Sequence, residues 1–271
     1  MTSSYPSPLV VEPLSMPNKQ TFILLHGRGS SGEKFGPALL GTPIGSFEPL
    51  TGKTASLANA FPHARFVFPT AARRWATIYR RAYTNQWFDN WKLDPPATDR
   101  EELQIPGLCE TVSYLHDLLR AEIALVPGGV SSIVFGGLSQ GCAASLIALL
   151  LWEGEPIGAA LGMCGWLPFR MRLDEQASEE QVQNTGTVNS DEDIFDPFEA
   201  DAGNEAVLDP SLRAICWLRD EIDCPAASCD ATSLACQNIP LFLGHGVEDD
   251  RGQTQFGKNM RDLGIGILKK C

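Results

Sequence analysis

The hydrophobic positions of the chain fall into short apolar runs separated by longer amphipathic stretches. Between the runs, residues 108–125 place leucines and a valine on one helical face, and residues 139–152 are apolar almost all round. Strands that alternate with helices predict an α/β fold, in which a mostly parallel central sheet is covered by helices on both faces. The runs that predict buried strands lie at 21–25 (TFILL), 65–68 (RFVF), 132–135 (SIVF), 157–163 (IGAALGM) and 239–243 (IPLFL).

Two segments interrupt this alternation within what we expect to be a single domain over residues 1–271. Residues 1–19 are rich in serine and proline and predict a loose N-terminal arm. Residues 170–237 form an acidic insertion, whose part up to about residue 207 lacks a clear period and predicts a disordered segment that acts as a lid or a spacer. Its second part predicts one short helix over 210–222, with Pro210 at the first helical position and Asp209 as the N-cap.

Charge and hydropathy exclude several classes of function. The net charge of −12 over 271 residues argues against nucleic-acid binding, which needs a basic surface. No stretch approaches the roughly 18–20 apolar residues of a membrane span, and the N-terminus lacks the features of a signal peptide. We therefore expect a cytoplasmic protein whose eight cysteines are reduced. The spacing of the cysteines at 216–236 does not fit a zinc motif, so no metal is expected, although a disulfide within that stretch stays open.

The sequence Gly137-Leu138-Ser139-Gln140-Gly141 fits the G-x-S-x-G pattern of a nucleophilic serine. It follows a predicted strand directly and opens a predicted helix whose first turns carry small residues. Glycines flank such a serine because the turn is tight and the strand and helix backbones approach closely. We therefore predict that Ser139 is a catalytic nucleophile and that the backbone N–H of Gln140 faces a developing oxyanion.

A second glycine-containing turn, His26-Gly27-Arg28-Gly29, follows the first predicted strand. The backbone N–H of Arg28 is the candidate for a second oxyanion donor. Residues 27–32 also satisfy the G-x-G-x-x-G dinucleotide pattern, but the next strand ends in Phe68-Pro69-Thr70 without the acidic residue that would hold a ribose. His26 itself is predicted to make structural hydrogen bonds at this turn. No cofactor is expected.

The fifth predicted strand leads into Gly244-His245-Gly246-Val247-Glu248-Asp249-Asp250. In hydrolases with a G-x-S-x-G serine, the catalytic residues follow the chain order serine, acid, histidine. An acid directly after this strand is well placed to orient an imidazole, and Asp249 is favoured over Asp250.

Five sequence blocks follow one another in a recognisable order. The blocks are LLHGRGSSGEKF at 24–35, QWFD at 86–89, FGGLSQGCAASL at 135–146, GWLPF at 165–169 and PLFLGHGVEDD at 240–250. Together they resemble the phospholipase/carboxylesterase family that includes acyl-protein thioesterases, in a fungal-type branch. The resemblance implies an α/β-hydrolase fold, no cofactor, and hydrolysis of carboxylic esters or acyl thioesters, with S-acylated proteins, lysophospholipids or small esters as substrates.

Matched position by position, the resemblance assigns six residues. It implies that Ser139 is the nucleophile and Asp249 the acid. The remaining four residues fall into two pairs: Arg28 and Gln140 match the oxyanion donors, while Trp87 and Phe88 match an apolar block close to the acyl-binding region.

The histidine of the family's triad follows the last strand, yet none of the four histidines here lies after residue 245. The run 265–268 (IGIL) predicts only the opening of that strand. Three explanations stay open: a truncated gene product, which we favour, a naturally weak or inactive acyl-binding homologue, and a different base such as His245. Because loss of a triad member leaves only about 10³–10⁴-fold catalysis over water, we expect slow hydrolysis by this chain.

A basic and aromatic stretch at residues 73–81 carries Arg73-Arg74-Trp75 and Arg80-Arg81. We expect it to form a loop. The loop is either simply solvated, which we favour, or makes transient contact with an anionic membrane surface or with the substrate protein.

Overall fold

The computed structural model describes residues 4–44, 55–91, 99–178, 209–224 and 234–246. These residues form a central sheet, two small hairpins and six helices. The strands are β1 (Leu9–Val11), β2 (Gln20–Leu25), β3 (Pro43–Ile44), β4 (Ala55–Ser56), β5 (Ala64–Phe68), β6 (Arg73–Ala76), β7 (Ala82–Asn85), β8 (Ile133–Leu138), β9 (Ala159–Met163) and β10 (Leu241–Gly244). The helices are α1 (Gly32–Leu40), α2 (Leu57–Ala60), α3 (Ile105–Leu125), α4 (Gln140–Leu150), α5 (Arg170–Ser178) and α6 (Pro210–Glu221).

The central sheet has the strand order β1-β5-β2-β8-β9-β10 and is parallel except at one edge. All five predicted strands are present in it, with boundaries shifted by a few residues. The antiparallel edge strand is β1, in which Leu9 pairs with Phe68 and Val11 with Phe66. The prediction of a loose arm over residues 1–19 is therefore wrong for this segment, because three consecutive apolar residues complete the open edge of β5.

The core lies where α3 and α4 cover the sheet. Every residue of α4 is buried, as its all-round apolar sequence predicts. In α3 the predicted stripe is confirmed, since Leu108, Val112, Leu115 and Leu119 are at most 2% exposed, while Leu118 packs at the margin of the core. This packing holds β8 and the start of α4 rigidly beneath the candidate site.

Two helices of the acidic insertion pack against each other and the core. In α6 the carboxylate of Asp209 accepts hydrogen bonds from the N–H groups of Ser211 (2.9 Å) and Leu212 (3.3 Å), which confirms the predicted helix and its N-cap. The prediction of an irregular segment is wrong for residues 170–178, which form α5 and bury Leu173 completely. Residues 179–208, the rest of the predicted lid, lie outside the described residues.

Residues 73–85 form the hairpin β6–β7 rather than the predicted loop. A single 3₁₀ turn (Thr77–Tyr79) leads to Arg80 and Arg81, which both adopt the left-handed conformation with φ of 52° and 63°. No helix among the described residues is both long and apolar enough to span a membrane.

Candidate active site

Ser139 occupies a strained turn between β8 and α4. Its backbone has φ 55° and ψ −119°, a combination that costs a non-glycine residue about 1–3 kcal/mol. Two hydrogen bonds hold the turn: the N–H of Ser139 donates to Met163 O (2.8 Å), and Ala143 N–H donates to Ser139 O (3.1 Å). Although Ser139 is the N-cap of α4, its side chain makes no capping hydrogen bond. The geometry thus leaves the half-buried hydroxyl available at the predicted nucleophile.

Both glycines of the G-x-S-x-G pattern are required by close backbone approach. A Cβ on Gly137 would lie 2.6 Å from the carbonyl carbon of Gly141. A Cβ on Gly141 would lie 2.5 Å from Leu25 O and 2.6 Å from His26 O. The first turn of α4 therefore packs directly on the backbone of β8 and on the end of β2, as the sequence pattern predicts.

The turn that follows β2 faces Ser139. A Cβ built on Gly27 would meet the Cβ of Ser139 at 3.5 Å, so the two turns are in van der Waals contact. Arg28 follows Gly27 in the chain and Gln140 follows Ser139, so the backbone N–H groups of both residues lie one position after this contact. In the part of the chain that the structure describes, neither donates a hydrogen bond to the protein backbone. The structure thus brings the turn that contains Arg28 next to the turn that contains Ser139 and Gln140.

The side chain of Gln140 ties the two turns together, which sequence reasoning missed. It is 1% exposed; its Oε1 accepts from the N–H of Trp87 (3.1 Å), and its Nε2 donates to Phe88 O (2.7 Å). Trp87 continues the connection, because its Nε1 donates to His26 O (2.8 Å). The one sequence signal for this role was that Gln140 is a lone amide residue at the start of an otherwise apolar helix.

Trp87 and Phe88 do not form an open substrate pocket. Both side chains are 0% exposed and belong to the hydrophobic core. The hydroxyl of Thr111, on α3, donates to Trp87 O at 2.6 Å and secures the segment from the other side. The predicted role of Trp87 and Phe88 in substrate binding is therefore corrected to a positioning role, because their rings lie next to the site but are covered on every side.

His26 makes two hydrogen bonds at the base of the facing turn. Ala71 N–H donates to its Nε2 (3.0 Å), so Nδ1 carries the proton and donates to Gly27 O (2.7 Å). Burial lowers the pKa of His26, and the hydrogen bond to Gly27 offsets part of that effect. The neutral, doubly bonded ring confirms the predicted structural role and is not available as a base for Ser139.

The other three histidines lie in different parts of the fold. The Nε2 of His116 donates to Ala148 O (2.8 Å), on the α3–α4 side, and the Nδ1 of His63 lies 3.2 Å from Pro17 O. His245 follows β10 and lies at the same edge of the sheet as Ser139. Asp249, the predicted acid, and its alternative Asp250 lie outside the described residues.

The carboxyl ends of three neighbouring strands define this edge of the site. In register, Leu138 of β8 pairs with Met163 of β9, which pairs with Gly244 of β10. Ligands of open parallel sheets bind at this edge, beyond the carboxyl ends of the strands. The described ranges contain no group of three or more His, Cys, Asp or Glu side chains that could hold a metal ion.

Comparisons with known proteins agree with this geometry. Residues 7–188 match the family described as phospholipase/carboxylesterase. Acyl-protein thioesterase 1 of Yarrowia lipolytica is 30% identical over 267 residues, which cover 97% of this chain and 84% of that protein. A probable carboxylesterase SOBER1-like of Arabidopsis thaliana is 31% identical over 164 residues, 59% of this chain and 55% of that one.

The fold is shared with a solved thioesterase structure. Acyl-protein thioesterase 2 of Zea mays superimposes with a TM-score of 0.59 at 21% identity, covering 98% of this chain and 87% of its own. At that identity the superposition shows the α/β-hydrolase fold and nothing finer. The matched residues 7–188 and the 30% identity with the Yarrowia lipolytica protein place this chain in the phospholipase/carboxylesterase family of α/β hydrolases.

Proposed function

We propose that this chain is a serine hydrolase that cleaves carboxylic esters or acyl thioesters, with Ser139 as its nucleophile. The observation that carries the proposal is the turn at Ser139, which has a φ of 55° and a half-buried side chain and lies close to the facing turn 26–29. Strain of this kind persists only where the surrounding structure enforces it, and it concentrates at functional sites. Membership of a family of carboxylesterases supports the same activity.

The chemistry follows from the placement of these groups. The Oγ of Ser139 attacks the acyl carbon, its proton passes to a base, and the N–H groups of Arg28 and Gln140 stabilise the negative charge on the former carbonyl oxygen. The base then protonates the leaving alcohol or thiol, and an acyl-serine forms. Water, deprotonated by the same base, attacks the acyl-serine and releases the acid and the free serine.

The proposed base is an imidazole oriented by the carboxylate of Asp249. Of the four histidines in this sequence, His26 lies close to Ser139 but has both ring nitrogens in hydrogen bonds, and His63 and His116 contact Pro17 O and Ala148 O. His245 directly follows β10 at the carboxyl edge of the sheet, on the segment that leads to Asp249, and is therefore the candidate to test within this chain.

The substrates proposed for this activity are S-acylated proteins, lysophospholipids and small esters. Acyl-protein thioesterase 1 of Yarrowia lipolytica, similar to this chain over nearly its whole length, supports the first class by its name. We also propose a cytoplasmic location, where the eight cysteines of the chain remain reduced.

We further propose that the hairpin β6–β7 makes transient contact with an anionic membrane surface. Trp75 and Tyr83 are exposed by 59% and 47%, and their ring centroids lie 5.1 Å apart. Arg73, Arg80 and Arg81 add positive charge to the same exposed surface. The hairpin adjoins the site, because Gly29 N–H donates to Asn85 O (2.8 Å). Exposed aromatic rings beside arginines suit the interface of an anionic bilayer.

Hydrolysis is tested by turnover of p-nitrophenyl butyrate and of a palmitoyl thioester on the purified chain and on Ser139→Ala. With His245 as the base, we expect the substitution to lower the rate by about 10³-fold or more. The matched control is Ser131→Ala, since Ser131 is an exposed serine whose hydroxyl donates only to Gly128 O. Equal rates in wild type and Ser139→Ala would refute the proposal. A rate that also falls in His245→Ala would identify His245 as the base.

Membrane contact is tested separately by co-sedimentation with phosphatidylserine and phosphatidylcholine vesicles. We expect binding to the anionic vesicles alone, and loss of that binding in the Trp75→Ala and Arg80→Gln variants. Arg120→Gln is the control, because Arg120 is also exposed but lies on α3, away from the hairpin. Binding that is unchanged in the hairpin variants would refute this proposal without affecting the first.

A further inference from the structure

The guanidinium of Arg28 is buried next to the candidate site, with Tyr79 beside it, and forms no ion pair with the described residues. Its Nε, Nη1 and Nη2 have almost no exposed surface, and none of them makes a hydrogen bond of ordinary geometry with the described residues. The guanidinium lies over the ring of Tyr79, with its carbon 5.8 Å from the ring centroid. The charge therefore lies between the turn that faces Ser139 and the tip of the hairpin β6–β7.

Asp89, the acid whose charge acts on Arg28, already accepts hydrogen bonds from another residue. Asp89 accepts a hydrogen bond from the N–H of Thr77 (2.9 Å) through one oxygen and from the Thr77 hydroxyl through the other. Burial lowers the pKa of Arg28, and the charge of Asp89 together with the charge and hydrogen bond of the Tyr79 hydroxyl offset only part of that effect. Asp89 thus reduces the electrostatic cost of the buried cation without pairing with it.

Other part-buried arginines of the chain do have carboxylate partners. Arg65 donates to Glu122 at 2.9 Å, and Arg74 pairs with Glu110 at 2.6 Å. A buried cation without a partner is costly, and a guanidinium offers paired donors that match the oxygens of a carboxylate or phosphate. An anion that enters beside the Tyr79 ring, which is 53% exposed, would complete the coordination of Arg28.

We propose that the side chain of Arg28 binds an anionic group of the substrate, a carboxylate or a phosphate, beside the scissile carbonyl. Its position next to the reacting bond rests on the proposed function, whereas anion binding itself does not. Two sources share this chemistry: a carboxylate at the far end of the acyl chain, or a phosphate in the leaving group. Arg28 would then select the substrate through its side chain while its backbone N–H serves the oxyanion.

Binding is tested with the full chain, titrating glutarate and inorganic phosphate by calorimetry. We expect Arg28→Gln to weaken binding on the order of 10- to 100-fold, as loss of a buried charge-assisted hydrogen bond implies, and Arg28→Lys to retain part of it. Arg73→Gln is the matched control, because Arg73 also lies over a tyrosine, at 4.6 Å from the Tyr83 ring, but is exposed. Equal affinity in wild type and Arg28→Gln, or no binding by wild type, would overturn the proposal.

The Ser139→Ala variant separates this inference from the proposed function. We expect it to bind glutarate and phosphate as wild type does while it loses hydrolysis. If wild type hydrolyses nothing, the binding result alone decides the role of Arg28, and the hydrolase proposal fails independently.

The source of the anion is identified by kcat/KM for two matched substrate pairs. The ratio of kcat/KM for mono-p-nitrophenyl glutarate to that for p-nitrophenyl butyrate reports recognition of a carboxylate on the acyl side. Palmitoyl lysophosphatidic acid against monopalmitoylglycerol reports a phosphate in the leaving group. We expect Arg28→Gln to lower the preference for the anionic member on the order of 10- to 100-fold in one pair. Preferences unchanged in both pairs would overturn the role in substrate selection.

Discussion

The hydrogen bonds made by the Gln140 side chain are expected to be a large single contribution to the stability of the site. In Gln140→Ala both are lost: the one from Trp87 N–H at 3.1 Å and the one to Phe88 O at 2.7 Å. The two backbone groups then remain buried, because Trp87 and Phe88 are fully covered and Gln140 itself is 1% exposed. Gln140→Glu is the sharper change, since it keeps the shape and one acceptor but removes the donor to Phe88 O.

The size of the effect follows from these two bonds. A typical hydrogen bond contributes about 1 kcal/mol net, and a buried group left without a partner costs about 1–3 kcal/mol. We expect Gln140→Ala to lower the free energy of unfolding by about 3 kcal/mol, since the two effects overlap. For a chain of this size, that corresponds to a Tm lower by roughly 6–12 °C.

Thermal and urea unfolding followed by circular dichroism measure this difference. Gln176→Ala is the control: Gln176 lies on α5, half-buried, and its side chain makes no hydrogen bond within the described ranges. The control should change the free energy of unfolding by less than about 0.5 kcal/mol. If Gln140→Ala unfolds within that margin of wild type, the side chain does not hold the two turns together and the reasoning is wrong.

Three other perturbations test separate features. Gly141→Ala places a Cβ 2.5 Å from Leu25 O and should lower the free energy of unfolding by about 1–3 kcal/mol, whereas Gly41→Ala, at an exposed position where the Cβ lies 3.2 Å from Pro37 O, should cost less in the same urea titration. Asp209→Ala removes the N-cap of α6 and should cost about 1 kcal/mol, most of which Asp209→Ser should restore; equal unfolding midpoints would contradict the cap. Burial lowers the pKa of His116 from its ordinary 6.5. The unfolded chain therefore binds a proton at a higher pH than the folded chain does. As a result, the stability that this residue contributes is lost as the pH falls below about 6.5. The stability difference between wild type and His116→Gln should therefore shrink between about pH 7.5 and about pH 5.5, and a constant difference would contradict the neutral, buried ring.

Much of the fold was predictable because its signals are local. The runs of β2, β5, β8, β9 and β10 are apolar, which suits strands that are covered on both faces. Proline and aspartate at the start of α6 act on their own turn of helix. The G-x-S-x-G pattern likewise specifies its own geometry, because only glycines permit the approach of α4 to the backbone of β8 and to the end of β2.

The hairpin β6–β7 was missed because its turn lacks the usual signals. Arg80 and Arg81 adopt the left-handed conformation that glycine or asparagine normally marks in a sequence. The edge strand β1 was missed for a different reason: three apolar residues in a segment rich in serine and proline form a strand only because β5 offers an open edge.

Taken alone, the sequence determined the five parallel strands, the helices α3, α4 and α6, and the tight turn at Ser139, since each depends on neighbours within a few residues. Tertiary structure decided what surrounds them. The contacts of Gln140 with Trp87 and Phe88, and the ion pairs of Arg65 with Glu122 and of Arg74 with Glu110, join residues more than thirty positions apart. Such contacts leave no periodic trace in the chain, because the partners meet only once the sheet has assembled and water has been excluded from between them.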